Sequence, residues 1–215
     1  MGSRSLIRNL DDLIEARTGK LSILRKEVLE AAEAGVRSVM PENFMKKVRL
    51  EDNLLLIGDS FKIDLRGYDE VVVLGAGKAV VQMAEYIERL LDDKISGGLI
   101  VSSTDPCKSH NLRRIDLFPS THPIPSKLGL EASEEMMEYA EEISEKALVI
   151  FLLSGGASAM LPLPAPPVTL EDKITTTKLL LESGASIDEI NAVRKHLSLI
   201  KGGWLGKKLS KARVI

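Results

Sequence analysis

Apolar residues recur at steps of three and four near the start of the chain. Leu6, Leu10, Leu13 and Ile14 predict a short amphipathic helix broken at Gly19. Leu21, Leu24, Val28, Ala32, Val36 and Val39 predict a longer one, ended by Pro41. The apolar segments "LLLI" and "FKIDL", on either side of Gly58-Asp59-Ser60, predict an edge hairpin. From Glu70 onward the pattern changes to short apolar runs that alternate with helical stripes. "EVVVL" (Glu70–Leu74), "GGLIVS" (Gly97–Ser102), "RIDLF" (Arg114–Phe118) and "ALVIFLL" (Ala147–Leu153) predict buried strands. The stripes from Ala79 to Leu91 and from Lys127 to Glu145 predict the helices between them. Thr169 with Asp172, and Ser186 with Glu189, predict the capped starts of two more. Ile187, Ile190, Val193, Leu197 and Ile200 predict the core stripe of the last helix, with Gly202-Gly203 as its stop.

This alternation predicts an α/β fold, a Rossmann-like, mostly parallel sheet with helices on both faces. Residues 1–20 are expected to form a helical extension and residues 21–215 the α/β domain. Ligands of such sheets bind at the carboxyl ends of the strands, so the loops there carry the candidate chemistry.

Composition narrows the function classes. The 215 residues carry a formal net charge of -2, which gives no bulk electrostatic case for a nucleic acid or an acidic membrane surface. Cys107 is the only cysteine, so no intramolecular disulfide can form and a cytoplasmic location is expected. The longest apolar run, Ala147–Leu153, is far too short to cross a bilayer. His110, His122 and His196 lack ligand spacing, so no protein ligand to a metal is predicted.

Two glycine loops follow predicted strands. Gly75-Ala76-Gly77-Lys78 opens a helix, and glycines there let backbone approach an anion while Lys78 adds charge. A tight turn with a surface lysine would use the same residues. The G-x-G-x-x-G fingerprint is incomplete, because Val80 stands at its third glycine. Ser154-Gly155-Gly156-Ala157-Ser158 places two glycines and two hydroxyls in one arc, the composition of an anion nest. It lacks the G-x-S-x-G of a hydrolase elbow. On the last helix Asn191, Arg194 and Ser198 share a polar stripe, with Lys195 one turn from Asn191. An arginine beside an asparagine can clamp a carboxylate or phosphate, although a solvated face would look the same. "STHPIPS" (Ser120–Ser126) brings His122 to the same sheet edge.

Taken together and in order, "VVVLGAGKA", "THPIPS", "FLLSGGASAMLPLPAPPVTLEDK" and "LLESGASIDEINAVRKHLSLIKGG" resemble the class II, MOFRL-type glycerate kinases. The resemblance covers roughly Leu21 to Lys208 and implies transfer of a phosphoryl group from ATP, with Mg²⁺, to a hydroxyl of D-glycerate, typically giving 2-phosphoglycerate. It further implies catalytic roles for Lys78 and Arg194. Gly75, Gly77, Ser154, Gly155, Gly156, Ala157 and Ser158 would hold the nucleotide and its phosphates, and Asn191, Lys195 and His122 the substrate. Three positions depart from the family pattern. Ala157 replaces the loop's third glycine, Thr121 the glycine before H-P-x-P, and Trp204 the arginine after K-G-G. The family also carries a second α/β domain with acidic groups, which this chain is expected to lack. Some members are labelled hydroxypyruvate reductases, so a nicotinamide-dependent reductase is the rival reading. Asp105 is a loose candidate for its ribose contact. A third possibility is a non-catalytic N-terminal fragment that needs a complementing chain, or that pairs through its leading helices into a homodimer.

Overall fold

In a computed structural model, residues 5–103 and 110–215 are described; Cys107 and Asp105 lie outside them. The chain divides into two compact units, Met1–Lys47 and Val48–Ile215. The sequence places the boundary at residues 20 and 21 instead.

The first unit contains α1 (Leu10–Glu15), α2 (Lys20–Ser38) and α3 (Pro41–Phe44), followed by a 3-10 turn at Met45–Lys47. Pro41 opens α3, where its missing amide costs no helical hydrogen bond. The periodic stripe of α2 forms as a helix but is not buried, with Leu21 60 % and Val28 66 % exposed.

The second unit begins with an antiparallel meander, β1 (Val48–Glu51), β2 (Leu54–Ile57) and β3 (Phe61–Asp64), in that order. The sequence reading foresees only the hairpin of β2 and β3. In β1, Val48 and Leu50 alternate with Arg49 and Glu51, but four residues are too few for a period to stand out. The Tyr86 hydroxyl donates to the Val48 carbonyl at 3.0 Å and ties this meander to the next layer.

The parallel sheet follows. Its strands are β4 (Glu70–Ala76), β5 (Gly97–Ser102), β6 (Asp116–Pro119), β7 (Ala147–Leu153) and β8 (Arg213–Val214), ordered β6-β5-β4-β7-β8. Helix α4 (Val80–Leu91) joins β4 to β5, and α5 (Lys127–Glu142) joins β6 to β7. The chain steps one way from β4 to β5 and the other way from β6 to β7. Right-handed crossovers then put α4 and α5 on opposite faces of the sheet. Alternation along β4 sends Val72, Leu74 and Ala76 into a core with Ala132, Met136 and Ala140 of α5. Val71 and Val73 are left for the other face, and both are buried.

After β7 come α6 (Ala157–Met160), α7 (Leu170–Glu182), α8 (Ile187–His196) and α9 (Trp204–Lys208). Thr169–Asp172 and Ser186–Glu189 form the capping boxes their sequences predict. The stripe assigned to the last helix fails in part. Helix α8 stops at His196, Ile187 is exposed, and Ile190 is its buried residue. The chain then turns back: Leu199 donates its amide to the Leu163 carbonyl at 3.1 Å, and Ser198 bridges to Pro164. Gly202 and Gly203 therefore precede α9 rather than end α8. Strand β6 begins two residues later than "RIDLF" suggests. No helix among the described residues is long and apolar enough to cross a membrane.

Candidate functional site

Strands β4 and β7 are neighbours, and the chain leaves them in opposite directions along the sheet. The switch point therefore falls at their carboxyl ends, where an α/β sheet opens a crevice. Both glycine loops lie there, and they are locked together. Ser154 donates its amide to the Ala76 carbonyl at 3.1 Å, and Lys78 donates its amide to the Gly155 carbonyl at 2.9 Å. The amide of Ala79 donates to Ser154 Oγ at 3.0 Å. The Gly77 amide is taken by the Val101 carbonyl at 3.0 Å, and the Ser102 hydroxyl donates to the Gly77 carbonyl at 3.1 Å.

This interlock explains the first pair of glycines. A Cβ at Gly75 would stand 2.5 Å from the Leu152 carbonyl oxygen. At Gly77, with φ +133°, it would stand 2.2 Å from Ser154 Oγ and 2.6 Å from the Ser154 carbonyl oxygen. The glycines of the first loop make room for the second loop, and the amides of Gly77, Lys78 and Ala79 already have acceptors in the fold.

The second loop differs. The amides of Gly155, Gly156, Ala157 and Ser158 donate to no protein acceptor among the described residues. Gly155 has open space where a side chain would be. Gly156 adopts φ +96°, and its missing Cβ would lie 2.9 Å from His122 Cδ2 and 3.2 Å from Lys78 Cγ. Lys78 and His122, both exposed, therefore reach this loop from two other segments.

A cavity of about 520 Å³ opens beneath the loop. Ser154, Gly156, Ala157 and Ser158 line one side; Asn191, Arg194 and Lys195 of α8 line another. The structure thus brings together most of the residues singled out from the sequence. Lys78, His122, Gly75, Gly77 and Gly155 are not on its wall. Ser198 leaves the predicted polar stripe: it lies beyond α8, is buried, and donates to the Leu163 carbonyl at 3.0 Å.

Sequence reasoning missed two lysines. Lys201 lines the cavity, and its ammonium donates to the Leu161 carbonyl. Lys173, 7 % exposed, is the buried residue of α7 and donates to the Leu163 carbonyl at 3.3 Å. Burial, then the charges of Lys173 and Arg194, pushes Lys201 down to about 7. Burial, then Arg194, pushes Lys173 down to about 8. Burial also lowers Arg194. None of the three makes an ion pair among the described residues. Lys173 follows Glu171 and Asp172 in the first turn of its helix, where it reads as an ordinary surface charge, and Lys201 follows the apolar pair Leu199-Ile200; neither belongs to a polar stripe.

The donor set fits phosphate or carboxylate oxygens: unused amides, an arginine and lysines. It does not fit Mg²⁺. No Asp or Glu lines the cavity, and no three His, Cys, Asp or Glu side chains converge among the described residues.

Comparison with known proteins bears on the family and the fold. Residues 27–215 match the family described as Domain of unknown function (DUF4147). The D-glycerate 2-kinase of Thermotoga maritima is 32% identical over 195 residues, covering 89% of this chain and 42% of that protein. A protein of Agrobacterium vitis, provisionally named a hydroxypyruvate reductase, is 40% identical over 144 residues, covering 67% of this chain and 37% of that one. A crystal structure of a glycerate kinase from Thermotoga maritima superposes with a TM-score of 0.72 at 30% identity, covering 89% of this chain and 42% of its own. The chain spans about two fifths of the length of the curated relatives it matches.

Proposed function

Because the chain belongs to the DUF4147 domain family, with glycerate kinases among its relatives, we propose that it serves the ATP-dependent phosphorylation of D-glycerate, giving 2-phosphoglycerate and ADP. One observation carries this reading. Unused amides and unpaired cations converge on one cavity at the switch point of the sheet. Phosphoryl transfer asks chiefly for positioning and charge neutralisation, which these groups supply.

In this reading the amides of Gly155 to Ser158 hold phosphoryl oxygens. Lys78, held at the loop by its own backbone, faces the charge that builds up between donor and acceptor. Arg194 and Asn191 orient the acceptor, with Lys195 and His122 at the rim. The acceptor hydroxyl attacks the terminal phosphorus of ATP, its bond to the bridging oxygen breaks, ADP leaves, and the hydroxyl proton is released. Mg²⁺ would neutralise the triphosphate, but no carboxylate lines the cavity to hold it. That gap supports a second reading, in which this chain forms one wall of the site and a complementing chain brings the acidic groups. A nicotinamide reductase draws less support, since Gly75 and Gly77 are occupied by contact with β7 and its loop, and Val80 is buried.

The test is D-glycerate-dependent ADP formation by the 215-residue chain with ATP and Mg²⁺, beside Lys78→Ala. Activity in the parent that is lost in the variant supports the reading, and ³¹P spectroscopy of the product separates the 2- from the 3-phosphate. A folded parent chain that turns over no ATP sinks the single-chain form and leaves only the complementing one.

A further inference from the structure

Lys173, Arg194 and Lys201 are the anomaly of this molecule. Buried cations in proteins are normally matched by carboxylates, because removing a charge from water is costly. Here the buried ammonium of Lys173 and the half-buried Lys201 and Arg194 gather with no carboxylate partner among the described residues. Among the described residues their only protein acceptors are the carbonyls of Leu161 and Leu163, one for each lysine. Those carbonyls belong to the Leu-Pro-Leu-Pro segment, and the Leu163 carbonyl also accepts from the Leu199 amide and the Ser198 hydroxyl. An ammonium has three donors, so each lysine keeps capacity for another acceptor. The Arg194 guanidinium makes no hydrogen bond to protein among the described residues, and it shares the cavity wall with Lys201 and Lys195.

We propose that Lys201 and Arg194, with Lys173 behind them, seat one anionic oxygen group, a carboxylate or a phosphate, of a small molecule bound under the Ser154–Ser158 loop. The assignment rests on the kinase reading for its choice of ligand and adds two lysines to the binding machinery. The bound group supplies the missing counter-charge, and the loop amides hold the rest of the molecule from the opposite wall. Burial and mutual repulsion already strain the charged forms of the lysines, so an anion relieves what the fold leaves unbalanced.

Calorimetric titration tests this with two probes and no ATP: inorganic phosphate, and D-glycerate. The parent chain binds at least one. Lys201→Gln weakens that binding tenfold to a hundredfold, the range expected for a hydrogen bond to a charged group. Lys201→Arg retains most of it, and Lys173→Met loses several-fold. Without ligand, Lys201→Gln melts at or above the parent temperature, because an unpaired charge is gone. Loss confined to phosphate identifies a phosphate seat, loss confined to D-glycerate a carboxylate seat, and loss of both a shared one. If Lys201→Gln does not fold, Lys173→Met decides. Unchanged affinity for both anions in the folded lysine variants overturns the proposal, as does a parent chain that binds neither. ADP formation distinguishes the two readings. Anion binding without turnover counts against the single-chain kinase and keeps the seat; full turnover by Lys201→Gln does the reverse.

Discussion

Two loops leave the same edge of the same sheet from neighbouring strands, and their sequences look alike. Gly75-Ala76-Gly77-Lys78 and Ser154-Gly155-Gly156-Ala157-Ser158 both set glycines and a polar side chain between a strand and a helix. Their chemistry has diverged. In the first, the glycines are dictated by steric contact with β7 and its loop, and the amides are bonded inside the fold. In the second, the glycine at 155 meets nothing and the amides have no protein acceptor among the described residues. Glycine can therefore mean closeness to protein or closeness to ligand, and only its surroundings tell which.

The comparison breaks most visibly at Gly77. Gly77→Ala must fit a Cβ against Ser154 at a positive φ, and should cost about 3 kcal/mol or more, read from urea unfolding. A loss below about 1 kcal/mol would mean that the loops are not locked. Ser154→Ala removes the acceptor for the Ala79 amide and should cost about 1 kcal/mol in the same assay.

The cations beyond the second loop add a dependence on pH. Unfolded lysines keep their proton to about 10.5, whereas folded Lys201 and Lys173 release theirs from about 7 and about 8. The unfolded chain binds more protons across that window, so stability should rise with pH from about 7 toward about 10. Below about 7 both states are protonated and the burden of the buried charges is complete. The double variant Lys173→Met/Lys201→Met should flatten the slope, and an unchanged slope would locate the titration elsewhere. The smallest effect on stability belongs to Gly155→Ala, within about 0.5 kcal/mol. Equal phosphate affinity in that variant and the parent would weaken the role given to the free amides.

Much of this architecture is legible in the sequence. Apolar runs of strand length mark β4, β5 and β7, and the hydroxyl–carboxylate pairs at 169/172 and 186/189 mark two helix starts. What escapes is set by tertiary contact. Strand β8, two residues long, exists because it pairs with β7. Helix α8 ends at His196 because Leu199 is drawn back to Leu163, although Leu197 and Ile200 continue its period. The stripe of α2 has the same period as that of α4, yet the former is exposed and the latter buried. Periodicity announces a helix; it does not name the partner. In the site, Ser154, Asn191, Arg194 and Lys195 are found by their polar context. Lys173 and Lys201 are not, because a lysine beside Glu171 and Asp172, or at the end of an apolar run, reads as a side chain that reaches out to water.

The interlock of the two loops also has a kinetic side. The amide hydrogens of Lys78 and Ala79 sit on acceptors supplied by residues 155 and 154. They can exchange with solvent only when the loops part, so both should exchange in one cooperative opening. A ligand seated on Gly155 to Ser158 would slow the exchange of both, although it need touch neither. In that sense the second loop holds the latch on the first, and occupancy of one is recorded in the exchange clock of the other.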